Sequence, residues 1–177
     1  KTLLACASIR HIFAGMGMMK ARAVVWLVPS TAILEQTIRD LRNPDHPYRQ
    51  QINFDFGARV EVYDGLQALN GQGLTPSSVQ ENLSIFVLTY DALRIKKKEG
   101  RKVYQENGNL AQFVPYYADR DALIPDVDET ALIQVLNQLS PVVIVDESHN
   151  AQSDLSVEML RNLNPSFVLD LTATPKK

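Results

Sequence analysis

Four stretches of this chain are apolar and β-prone almost without interruption: Ala23 to Val28 (AVVWLV), Ser84 to Tyr90 (SIFVLTY), Pro141 to Asp146 (PVVIVD) and Phe167 to Thr172 (FVLDLT). A strand with one wet face alternates polar and apolar residues. A continuous apolar run instead reads as a strand covered on both faces, as in a parallel sheet with helices above and below. Helical segments alternate with these runs. The first is expected from Thr2 to about Met19, with Leu3, Leu4, Ala7, Ile12 and Met16 on one face. Ser30 or Thr31 is placed to cap the next, whose core stripe is Ile33, Leu34, Thr37, Ile38 and Leu41, before Asn43 to Pro47 ends it. Further helices are expected at about Asp128 to Leu139 and Asp154 to Leu163, and a short alternating strand at Arg59 to Tyr63. The expected architecture is an α/β domain with a mainly parallel sheet, spanning residues 1–177 as one unit. Residues 94–125 break the pattern. They read as an insertion or a hairpin arm, with a turn at Asn107-Gly108.

The composition narrows the classes of function. No run approaches the roughly 18 apolar residues of a membrane span, and no basic, cleavable leader opens the chain, so the reading places it in the cytoplasm. A single cysteine, Cys6, supplies neither an internal disulfide nor a thiolate metal cluster, and on an apolar helix face it is expected in the core. Trp26, inside a buried strand, is expected there too. The net charge of −2 taken alone argues against a nucleic-acid partner. Its distribution does not, because residues 1–102 carry 14 basic and 9 acidic side chains while residues 103–177 carry 4 and 11. Electrostatic fields act locally, within about 10 Å, so the two parts can present different surfaces.

In an open parallel sheet, ligand chemistry gathers at the carboxyl ends of the strands. Polar residues stand at each of those ends here: Ser30 after the first run, Thr89 after the second, Asp146-Glu147 after the third, Thr172 and Thr174 after the fourth. Two carboxylates directly after a buried strand can hold a hard cation on phosphates and orient an attacking water; the plainer alternative is that they cap the following helix. Lys1-Thr2 matches the last two residues of the phosphate loop G-x-x-x-x-G-K-[ST], where Lys reaches the β/γ-phosphates and the hydroxyl binds magnesium.

Order and spacing give these pieces weight together. Lys1-Thr2, LVPSTAILEQT (Leu27 to Thr37), VLTYDAL (Val87 to Leu93), VIVDESH (Val143 to His149) and LTATP (Leu171 to Pro175) resemble motifs I, Ia, Ib, II and III of superfamily 2 helicases. The chain resembles the first RecA-like domain of that superfamily, nearest the helicase subunit of type III restriction enzymes. The resemblance implies a three-layer αβα P-loop fold and an ATP-driven motor that uses magnesium. By position, Lys1 and Thr2 would bind nucleotide, Thr2 and Asp146 magnesium, and Glu147 the hydrolytic water. His149 would couple to Thr172 or Thr174. Ser30, Thr31, Thr89 and Tyr90 would touch the nucleic-acid backbone. Apart from the resemblance, the basic run Arg94 to Lys102, with Lys96, Lys97 and Lys98 at its centre, reads either as an arm on DNA phosphates or as a solvated face.

The departures carry information of their own. Motif II reads DESH, motif III reads TAT where RNA helicases usually show SAT, and motif Ia lacks the PTREL pattern. These point to double-stranded DNA as partner, with a second RecA-like domain and, in a restriction system, a methylase subunit beside it. The glycine loop and the strand before it do not precede Lys1 in these 177 residues. The expectation is therefore weak ATP binding and no hydrolysis by the 177-residue chain alone. Phe167 to Thr172 should likewise be an apolar sheet edge prone to self-association. The competing functional class is a non-catalytic nucleotide- or DNA-binding scaffold derived from such a motor; a P-loop small-molecule kinase fits TATP and the VPS segment poorly.

Overall fold

The central strand, β1 (Arg22–Val28), is buried from Ala23 onward, which explains why none of those residues is polar. The computed structural model describes residues 1–16, 21–148 and 156–172, with backbone only at 98–100. β1 pairs in parallel with β3 (Leu83–Thr89) on one side and β4 (Val142–Val145) on the other, so that Val24 faces both Ile85 and Val142. β2 (Val60–Tyr63) adds outside β3, and β5 (Phe167–Asp170) outside β4. The result is one all-parallel five-stranded sheet of order β2-β3-β1-β4-β5. Helices cover both faces, giving the three-layer α/β architecture that the apolar runs require.

One face packs against α1 (Thr2–Gly15), α2 (Thr31–Arg42) and α3 (Pro47–Phe56), in a cluster around Trp26, Val28, Ile85 and Ile144. Cys6 and Trp26 both sit in that core at 0% exposure. Burial pushes the Cys6 thiol up to about 12, leaving it un-ionised and inert at neutral pH. The buried face of α1 agrees with the expected one at its end, where Ile12 and Met16 pack against this cluster, and differs at its start. Ala5, Cys6, Ile9 and Phe13 point inward, whereas Leu3 and Leu4 are 46% and 71% exposed. The contact with α3 sets this phase: the Phe13 ring meets Phe56 edge-on at 6.4 Å, and Arg10 approaches Asp55 at 3.7 Å.

The opposite face packs against α4 (Gly65–Asn70), α5 (Pro76–Glu81), α7 (Leu132–Leu139) and the chain between β3 and α7, around Leu27, Phe86, Leu88 and Val143. Three helices not expected from periodicity, α3, α4 and α5, are held by local capping. The His46 imidazole accepts from the Tyr48 N–H before Pro47, and Asp64 with Gln67 forms a capping box. Thr75 with Ser78 forms another. The final helix, α8 (Val157–Asn162), starts at a Ser156 cap.

Residues 94–125 do not form a hairpin. They hold α6 (Lys98–Tyr104) and two 3₁₀ segments, Gly108–Tyr116 and Arg120–Ala122, and Val103, Leu110, Phe113 and Tyr117 are buried in the sheet's core. The turn chemistry of Asn107 is satisfied locally, its side chain accepting from the Asn109 N–H, so no strand pairing is needed. Two buried amides of α7 strap the next loop down: Gln134 bonds to Ile124 and Val127, and Asn137 to the Ala122 carbonyl. The segment is part of the domain, and no projecting arm is present among the described residues.

β5 is the outermost described strand beyond β4, and its Phe167 and Val168 are 44% and 38% exposed. An apolar edge with unpaired amides and carbonyls templates further pairing. The 177-residue chain is expected to self-associate through it, and Val168→Lys to shift the population toward monomer in light scattering. A wild-type chain that stays monomeric at high concentration would refute this.

Candidate nucleotide and nucleic-acid site

The parallel register brings the carboxyl ends of the strands to one rim. Val28 lies opposite Thr89, Leu27 opposite Val145, and Val145 opposite Asp170. The turn after β4 is then tied to both neighbours: the Asp146 N–H donates to the Leu27 carbonyl at 2.8 Å, and the Ser148 N–H to the Leu171 carbonyl at 3.0 Å. Asp146 is 6% exposed, and its Oδ1 accepts from the Glu147 N–H at 2.9 Å. Glu147 adopts a left-handed backbone, φ 52°, which is unusual for a residue with a Cβ and turns its side chain away from the line of the strand.

Lys1 meets both acids. Its ammonium donates to Glu147 Oε1 and lies 3.4 Å from Asp146 Oδ1, closing a contact between residues 146 positions apart. Partial burial pulls the Lys1 pKa down. The Glu147 hydrogen bond and the two carboxylate charges outweigh that, so the net direction is upward and the ammonium stays charged. Thr2 follows as the first residue of α1, half-buried, at a helix terminus with no side-chain cap and no acid in its first turn. That leaves the positive end of the helix dipole beside Lys1 without an anionic neighbour on the helix itself.

The donor set fits magnesium. Asp146 and Thr2 offer hard oxygens only, and no three His, Cys, Asp or Glu side chains cluster among the described residues. Few protein ligands suit an octahedral ion that retains water and takes phosphate oxygens. Thr172 is half-buried just beyond β5. His149 and Thr174, expected to couple with it, lie outside the described residues.

A second feature opens on the same rim, a cleft of about 610 Å³ over the ends of β1 and β3. Ser30, Thr31 and Thr89 line it. Ser30 also caps α2, its hydroxyl accepting from the Ile33 N–H at 3.3 Å. Tyr90 departs from expectation: it is 1% exposed, with its hydroxyl turned inward to the carbonyls of Asp146 and Glu147, so it offers no surface to a ligand. Lys96 and Lys97 are exposed outside the cleft lining, and the Lys98 side chain lies outside the description.

The cleft adds two basic residues not singled out by sequence, Arg39 and Arg42, and takes in Lys102 from the end of the basic run. Arg42 is tied down, donating to the Val62 carbonyl and to Gln67. Arg39 and Lys102 are exposed and make no ion pair among the described residues. Arg39 stands in the last turn of α2, four residues after Glu35, where a cation ordinarily reads as a complement to the helix dipole. Only the fold brings it into the same cleft as Lys102.

No curated protein sequence matches the chain. The family described as type III restriction enzyme, res subunit, matches it over residues 1–177.

Proposed function

The chain belongs to the family of type III restriction enzyme res subunits, helicase-like ATP-binding proteins, and from that membership we propose that this domain is the motor of a double-stranded DNA translocase. The observation that carries the reading is the meeting of the Lys1 ammonium with both Asp146 and Glu147 at the carboxyl rim of the sheet. Lys1 would exchange its carboxylate partners for the β/γ-phosphates of ATP. Asp146 and Thr2 would hold magnesium, which supplies neutralising charge on the phosphates when bound. Glu147 would orient the hydrolytic water with the carboxylate that Lys1 releases. His149 with Thr172 or Thr174 would couple the nucleotide to the track.

The nucleic acid would lie in the cleft beside it, with Ser30, Thr31 and Thr89 on the phosphodiester backbone and Arg39 and Lys102 on phosphate charge. Lys96, Lys97 and Lys98 would extend that contact. These groups position a strand without reading its sequence, as a translocase requires. A second RecA-like domain and a methylase subunit are the partners this reading adds.

The test is ATP turnover by the full-length protein with each nucleic acid in turn. Double-stranded DNA is expected to stimulate it more than single-stranded DNA or RNA; stimulation by none of them would overturn the motor reading. Replacing Arg39 and Lys102 together by Ala should weaken DNA binding across all sequences and lower the slope of log affinity against log salt by about 2, one for each phosphate contact. An unchanged slope would remove both residues from the interface.

A further inference from the structure

Tyr90 stands between the two halves of the site. It follows Thr89 directly and opens the 3₁₀ turn Tyr90–Leu93, while Thr89, Asp91 and Ala92 all line the cleft. Its own ring points the other way, into the core with Leu27, Phe86, Val143 and Val145. The hydroxyl reaches across to the turn after β4, donating to the Asp146 carbonyl, and the Glu147 carbonyl is 3.3 Å away.

Those two carbonyls belong to the peptide units on either side of the Glu147 Cα. Fixing the orientation of both peptide planes fixes the backbone dihedrals of Glu147, and with them the direction in which its Cα–Cβ bond leaves the chain. That residue needs such restraint, because its φ of 52° is a region that L-residues populate sparsely unless their surroundings impose it. The Glu147 N–H, held by Asp146 Oδ1, restrains the same turn from the other side.

Resting on the motor reading above, we propose that Tyr90 is a positioning residue: its hydroxyl ties the nucleic-acid cleft to the backbone of Glu147 and sets the aim of that carboxylate. A strand seated against Thr89 and the 90–93 turn then acts on the hydrolytic residue through one buried side chain. The coupling between track and nucleotide runs along β3 as well as through the ends of β4 and β5.

Tyr90→Phe in the full-length protein tests it, since the ring and its packing remain and only the hydroxyl is lost. The expected result is a fall of about five- to tenfold in kcat for DNA-stimulated ATP turnover, the size of one lost hydrogen bond. The KM for ATP should be unchanged, because Lys1 and Thr2 are untouched. Deuterium uptake by the backbone amides of residues 145–148 should rise in the absence of any ligand. A purely structural role would lower the melting temperature and leave kcat per folded molecule at the wild-type value. Unchanged kcat, or reduced kcat without increased uptake, overturns the proposal. Wild-type protein that no nucleic acid stimulates would instead defeat the motor reading, and the uptake measurement would still decide whether the tether holds Glu147.

Discussion

Glu147→Gln is expected to lower DNA-stimulated ATP turnover of the full-length protein by about 10²–10⁴-fold, the range associated with losing a positioned proton acceptor. The amide keeps the shape of the carboxylate and can still accept a hydrogen bond, but it cannot take a proton from water. ATP binding should survive or tighten. Glu147 is the closer of the two acids holding Lys1, and a neutral amide holds the ammonium less strongly, freeing it for phosphate. Asp146→Asn should abolish turnover by a different route, through weaker magnesium retention, and excess magnesium should restore part of it. Single-turnover hydrolysis with a parallel nucleotide titration separates the two. Wild-type turnover in Glu147→Gln would remove that residue from the chemistry.

The largest effect on stability is expected at Trp26. It is fully buried in the central strand between Val87 of β3 and Ile144 of β4. Trp26→Ala should cost about 3–5 kcal/mol, the usual loss for a large aromatic cut back in a core that cannot collapse around the gap. That is a large share of the roughly 5–15 kcal/mol that holds a typical domain folded. Trp26→Phe should be much milder. The indole Nε1 has no hydrogen-bond partner among the described residues, and a buried orphan donor costs about 1–3 kcal/mol that phenylalanine does not incur. The lost ring and the relieved donor offset, leaving a net loss of about 1 kcal/mol. Urea unfolding followed by far-UV circular dichroism measures both, since these 177 residues hold no other tryptophan. A Trp26→Ala variant as stable as wild type would refute the account.

The sheet was legible because its strands are buried on both faces, and such strands can be built only from runs such as VVWLV and VVIV. Helix phase was less legible. In α1, two apolar stripes compete, Leu3-Ala7 and Ala5-Ile9-Phe13, and packing against Phe56 and Asp55 selects the second. The helices α3, α4 and α5 carry little apolar periodicity, and what holds them is the capping at His46, Asp64 and Thr75, which a reading by periodicity does not weigh.

At the site, Asp146 and Glu147 were legible as the end of a buried parallel strand, and Lys1 only through its likeness to the end of a phosphate loop; the structure brings the three side chains together. The direction of a side chain just past a strand end is a tertiary matter. Sequence therefore placed Tyr90 with Thr89 on the outside, whereas the core beside Leu27 and Val145 takes its ring. The left-handed turn at Glu147 and the meeting of Arg39 and Lys102 in one cleft likewise have no local signal.

The sheet order also has a consequence in time. β1 is made before either of its neighbours, and Val24 waits 61 residues for Ile85 on one side and 118 for Val142 on the other. At the ribosome's pace of roughly 5–20 residues per second, the second side of that strand stays bare for about 6–24 s. Throughout that interval a nascent chain offers VVWLV, with free amides and carbonyls, to any other extended segment it meets. The yield of folded protein should therefore fall as expression is driven faster, whatever the stability of the finished domain.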